Sequence, residues 1–124
     1  MADRYINPKV TTVSSGISGR HIWSARHNHV VIDDSAAHGG PGDAPGAGEL
    51  FLAGITGCAT LMMERLAQSS KAPLKRVEVS MEGLIDTQAT REGPAVFESA
   101  RLKFVMVGVS DGQAREMVET YKRR

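Results

Sequence analysis

Cysteine is all but missing from this 124-residue chain: Cys58 is the single one, so no disulfide can close within it. A reducing compartment, the cytoplasm, is the expected setting. Aromatic side chains are scarce. Trp23, Tyr5, Tyr121, Phe51, Phe97 and Phe104 are the full set, too few and too scattered for a platform that stacks single-stranded bases. Neither sign of charge prevails. A formal net charge of +1 excludes the broad basic field of a nucleic-acid binder and leaves no acidic tail. The opening MADRYINPKV has no apolar segment of the kind a signal peptide carries. The longest apolar stretch, Leu50 to Met63, covers 14 residues, short of the roughly 20 that a bilayer span needs. A soluble protein is expected, with neither membrane nor nucleic acid among its partners. The glycine-rich loop lacks the Gly-Lys-Ser/Thr ending of a phosphate loop. No Gly-x-Ser-x-Gly elbow occurs to support serine-hydrolase chemistry.

What is present sorts into short strands and two helices. Lys9 to Val13 is rich in β-branched residues, and Ser14, Ser15 and Gly16 form a turn after it. Arg20 to Arg26 reads as a second strand, Asn28 as part of the next turn, and His29 to Asp33 as a third strand, giving an antiparallel meander. The stretch HGGPGDAPGAG, residues 38 to 48, is loop by composition. A helix is expected from near Gly48 to about Gln68, with Phe51, Ile55, Cys58, Met62 and Leu66 on one face. Leu52, Ala59 and Met63 widen that face, which predicts a helix buried on most sides. Leu74 to Asp86 alternates, with Val77, Val79, Met81 and Ile85 inward. Thr87 to Pro94 turns the chain into a strand over Phe97 to Val109, whose end is expected to be covered on both faces. Ser110 and Gln113 form a capping box for a last helix, which runs amphipathic to Arg124 as though cut short. The order β-β-β-α-β-β-α is an α+β layout in one domain spanning residues 1–124.

Few residues offer chemistry. A lone cysteine on an apolar helix is most often a small buried hydrophobe. To act as a nucleophile Cys58 needs its thiolate. Its mid-helix position gains little from the helix dipole, so a cation must supply the stabilisation, and a guanidinium suits because it stays charged. Arg20 and Arg26, both in the strand region, are the candidates. Glu49 lies in the first turn of the helix, where a carboxylate caps well. It stands nine residues before Cys58, about 13.5 Å along the axis and on the other side, so within one helix it can serve the thiol only through an arginine. His27 and His29 would share a strand face and could join a metal site, but no further ligands stand near them. Solvent-facing histidines are the plainer reading.

The segment HGGPGDAPGAGELFLAGITGCAT resembles the signature of the OsmC/Ohr family, the osmotically inducible and organic hydroperoxide resistance proteins. Leu50, Phe51, Ala53, Gly54, Gly57 and Cys58 fall in register with it, Gly39 and Gly40 precede it, and KRVEVSMEGLID is similar to the family's next strand. The resemblance implies an intertwined homodimer with two thiol sites near the subunit interface. It implies reduction of organic hydroperoxides by a cysteine, matched by Cys58, with no cofactor and with an external thiol reductant as the second partner. It implies an arginine and a glutamate that organise the thiolate. Arg20 fits the arginine by its spacing to the following strand, and Arg26 is second choice. The family's glutamate position is Gly48 here, and Glu49 comes one residue later. The family's second cysteine, in a Cys-Pro segment after the last helix, is missing. Either the chain is a piece of a longer one, or a sulfenic acid at Cys58 depends on an outside thiol. Two functions are therefore expected to compete: a thiol-dependent peroxidase acting in oxidative-stress defence, and an OsmC-like dimer without peroxidase activity that binds a small apolar molecule between its subunits. The apolar stretch from Leu50 to Met63 itself predicts a partner chain as its cover.

Overall fold

The computed structural model describes residues 4–88 and 97–123. It divides into two units, Met1–Leu50 and Phe51–Arg124.

The first unit is an antiparallel meander in the order β1-β2-β3, with β1 at Thr11–Ser14, β2 at Arg20–Ala25 and β3 at Asn28–Asp33. The hairpin between β2 and β3 turns on two residues, Arg26 and His27. Arg26 takes the left-handed backbone region at φ 56°, and the Asn28 side-chain Nδ2–H donates to the Ala25 carbonyl at 3.3 Å. Asn28 is thus the first residue of β3 rather than part of the turn, because a two-residue loop leaves its flanking residues paired. The register sets Val13 opposite Ile22, and Ile22 opposite Val31, on one face. The other face carries Ile32, which is buried, with Trp23 and Val30 half-buried.

The loop after β3 is tied back to the meander by its backbone. The Asp34 N–H donates to the Gly19 carbonyl at 2.7 Å, and the Asp33 N–H to the Pro45 carbonyl at 3.0 Å. A single 3-10 turn, Ala36–His38, follows. Gly40 lies so close to the Asp34 carbonyl that a Cβ would overlap it, which fixes glycine at this bend.

Helix α1, Ala47–Ser70, starts in the first unit and runs on through the second. Its last turn closes with Lys71 in the left-handed region at φ 57°. The Ala72 N–H reaches the Ala67 carbonyl at 2.9 Å and the Lys71 N–H reaches Gln68 at 3.3 Å, a Schellman ending. Pro73 prevents any continuation. β4, Arg76–Leu84, pairs antiparallel with β5, Ser99–Val107, and α2, Asp111–Lys122, completes the unit. The expected capping box is present: the Gln113 N–H donates to Ser110 Oγ at 3.1 Å, and the Ser110 N–H to Gln113 Oε1 at 3.0 Å. The turn expected at 87–94 lies, from residue 89 onward, outside the described residues.

The core of the second unit is Met63, Ala67 and Met117. Leu66, Leu74, Val77, Phe104, Met106 and Val118 are among the half-buried side chains against them. Phe104 meets Tyr121 edge-on at 5.7 Å. Gly83 takes the inward place that alternation assigns near the end of β4. A Cβ there would run into the Phe97 ring, and that ring stacks on Phe51 at 5.8 Å.

Three expectations about burial need correction. Helix α1 buries only the stripe Ala59, Met63 and Ala67, one residue in every four. Phe51 is 59% exposed and Leu61 46%. A two-stranded sheet and one short helix cover a single face of so long a helix, so apolarity on all sides does not become burial on all sides. The end of β5 is likewise bare on one face at Val105 and Val107. β4 ends at Leu84, which leaves Ile85 outside it and exposed.

Candidate functional site

Cys58 is the twelfth residue of α1, and its side chain is exposed. It stands among Phe51, Gly54, Leu61 and Arg65, spaced at −7, −4, +3 and +7, all on the outer side of the helix and all exposed. A Cβ built at Gly54 or at Gly57 would meet nothing within 4 Å. The sulfur therefore lies on an open, largely apolar strip with bare backbone beside it, on the side away from Ala59 and Met63. The reading of Cys58 as buried hydrophobe does not hold for the single chain.

Arg20 opens β2, and the hairpin register brings it directly opposite Asp33, the last residue of β3. The guanidinium forks onto that carboxylate: Nε–H donates to Oδ1 and Nη2–H to Oδ2, both at 2.8 Å. A weaker contact runs from Nη2 to the exposed Asp43 at 3.5 Å. Asp33 is buried, and it is further satisfied by the backbone N–H groups of Asp43 and Ala44, each donating to Oδ2 at 3.0 Å. The fork of hydrogen bonds from Arg20 outweighs the burial that opposes ionisation and, with the two peptide donors, holds the Asp33 carboxyl down at about 2. The same fork pushes the Arg20 guanidinium above its ordinary value, against the pull of burial.

A pH prediction follows. Asp33 titrates lower in the folded chain than in the unfolded one, so the pair stabilises the fold fully above about pH 4. That contribution is lost as pH falls through about 2. Urea midpoints measured over this range should drop with acid in the wild type, and the drop should be shallower in Asp33→Asn.

Glu49 sits in the first turn of α1, and its Oε1 accepts the Gly46 N–H at 2.9 Å. This is the glutamate half of a capping box, with Gly46 supplying no side chain for the other half. Among the described residues Glu49 meets no arginine. Arg26 belongs to the β2–β3 turn. His27 lies in that turn too, whereas His29 is on β3 with Nδ1 2.7 Å from Ser24 Oγ, so the two histidines share no strand face. No group of three or more His, Cys, Asp or Glu side chains gathers among the described residues. Asp33 is the residue that sequence reasoning missed. The signal was the symmetry of a two-residue turn at 26–27, which pairs position 20 with position 33.

Several solved structures share this fold. An OsmC-like protein from Mycoplasma pneumoniae superimposes with a TM-score of 0.82 at 14% identity, over 96% of this chain and 82% of that one. An organic hydroperoxide resistance protein from Elizabethkingia anophelis, with thiocyanate bound, gives 0.75 at 16%, over 95% and 82%. A putative organic hydroperoxide resistance protein from Vibrio cholerae, with captopril in one of its active sites, gives 0.63 at 23%, over 97% and 79%. Among curated proteins no sequence matches the chain. The family model described as OsmC-like protein matches residues 40–124, a span that takes in the glycine-rich loop, the whole Cys58 helix, β4, β5 and α2. With most of its length inside that match, and with the α+β order expected from the sequence, this chain belongs to the OsmC-like family.

Proposed function

We propose that the protein is a thiol-dependent peroxidase that reduces organic hydroperoxides, with Cys58 as nucleophile. The observation that carries this reading is the exposure of Cys58 on the open strip of α1. The Cys58 thiolate attacks one oxygen of the peroxide, and the O–O bond breaks. The alkoxide leaves and takes up a proton, giving an alcohol, while the sulfur is oxidised to a sulfenic acid. Glu49 fixes the entry into the helix by accepting the Gly46 N–H. The 124 residues hold no second cysteine. An external dithiol attacks the sulfenic sulfur, releases water, and resolves the mixed disulfide with its own second thiol. The test is consumption of tert-butyl hydroperoxide with dithiothreitol, wild type against Cys58→Ser. Equal rates defeat the reading.

The second reading is an OsmC-like dimer that binds a small apolar molecule and performs no peroxide chemistry. The bare Phe51 and Leu61 beside the thiol favour it. It predicts that Cys58 reacts with iodoacetamide no faster than a free thiol at neutral pH. The peroxidase reading predicts faster reaction.

Both readings include a homodimer, motivated by Phe51, Leu61, Val105 and Val107 standing exposed in one small chain. Light scattering at micromolar concentration should give about twice the 13.3 kDa of one chain. A mass of one chain counts against the dimer.

A further inference from the structure

Apart from Met1, all the methionines of the chain lie in the second unit: Met62, Met63, Met81, Met106 and Met117. Met63 and Met117 are buried, and the other three are half-buried. Met106 looks both ways. On β5 it stands opposite Val77 and packs against the core of Met63, Ala67 and Met117. It also forms part of the wall of an open groove of about 350 Å³, with Phe104 from the same strand face and Ala114, Arg115, Val118 and Glu119 from α2. Arg115 and Glu119 are exposed at the rim, and the other four are half-buried. The groove is thus an apolar slot between β5 and α2, wholly within the second unit, that leads from solvent to a thioether. Its size is in the range of small-molecule sites. Met117 borders a second groove, of about 310 Å³, between α1 and α2, but is only 5% exposed.

We propose that Met106 is a modification site for organic hydroperoxides, and that its conversion to methionine sulfoxide loosens α2 from β5. A thioether has no proton to lose, so the reaction needs no base and no activating cation, only access. The sulfur lone pair attacks the outer oxygen of the peroxide, and the O–O bond breaks. The proton of that oxygen passes to the departing alkoxide. One sulfoxide and one alcohol result; the sulfur gives up two electrons and the peroxide takes them. The sulfoxide is polar and accepts hydrogen bonds, whereas the side chains of Phe104, Ala114 and Val118 around it donate none. An acceptor left without a donor weakens the packing around it. The damage falls where α2 is held, since Phe104 meets Tyr121 edge-on and Val118 packs against the same core. The oxidant is of the class proposed as substrate, yet the step at Met106 does not involve Cys58.

The full chain carrying Cys58→Ser is the protein to use, so that no thiol consumes peroxide and the outcome is separate from that of the peroxidase reading. It is incubated with tert-butyl hydroperoxide and digested with trypsin. Cleavage after lysine and arginine puts Met81, Met106 and Met117 in three different peptides, and Met62 with Met63 in a fourth. Mass spectrometry follows the gain of one oxygen in each. Met106 is expected to oxidise first, about tenfold faster than Met63 and Met117, which react only when the core opens. In urea that lead should vanish. The melting temperature should fall by about 5 °C or more as Met106 is oxidised. After the same treatment it should fall by less than about 2 °C in a chain that also carries Met106→Leu, which removes the sulfur and nearly keeps the volume. Another methionine in the lead, or a lead of Met106 that persists in urea, overturns the proposal. So does an oxidised Met106 with an unchanged melt, or an equal loss with Met106→Leu. Should Met106→Leu not fold, the order of oxidation and the melt of the chain that keeps Met106 decide the matter.

Discussion

Cys58→Ser is expected to reduce tert-butyl hydroperoxide no faster than buffer with the same dithiol, a loss of roughly 10³-fold or more when a covalent nucleophile is removed. The argument lies in ionisation. A thiol gives up its proton far more readily than a serine hydroxyl does, and the neutral oxygen is a poor nucleophile toward peroxide. The substitution is a clean one because the side chain is exposed and one atom changes. Its melting temperature should therefore stay within a degree or two of wild type, as for surface positions generally. A loss of turnover with an unchanged melt reads as chemistry. A loss of both would say that the sulfur serves the fold.

The second large effect is on stability. Met63→Ala should cost about 2–5 kcal/mol, the range for deleting a large buried aliphatic side chain. Met63 is fully buried and forms the centre of the cluster with Ala67 and Met117. Its neighbours are held by helix backbone on one side and by paired strands on the other, so they have little freedom to close over the void. A domain of this size has about 5–15 kcal/mol to lose, and this one change removes a large part of it. Glu64→Ala, the next residue on the same helix but exposed, should cost under about 1 kcal/mol. Urea denaturation of the two variants checks the contrast. Similar losses would mean that the core does not sit on the Ala59–Met63–Ala67 stripe.

Much of the fold was legible from short-range pattern. The loop composition at 38–48, the helical period through α1, the alternation of β4 and the Ser110–Gln113 capping box each depend on residues a few places apart, and each lies where expected. Cys58 and Arg20 were legible as candidates for the same reason: residue type and local spacing suffice to single them out. Asp33 was not, because its meaning depends on which residue stands across from it. That depends in turn on the two-residue turn at Arg26, whose left-handed backbone is unusual for arginine. Burial was the least legible quantity. Composition shows that α1 is apolar on many sides but not how many of those sides this chain can cover. The seat for Phe97 at Gly83 required knowledge of which side chain arrives there from another segment.

The two glycines beside the thiol carry an implication of their own. In an exposed helix interior, each weakens the helix by about 1 kcal/mol relative to alanine, and at Gly54 and Gly57 a methyl group would fit without collision. Taken alone, the chain would hold its shape better with alanine at both places. The pair makes physical sense where some other body must come nearer to the helix axis than a methyl permits, whether a peroxide approaching the sulfur or the facing helix of a twin subunit. Those few square ångströms of naked peptide are thus a doorway held open at the expense of the wall.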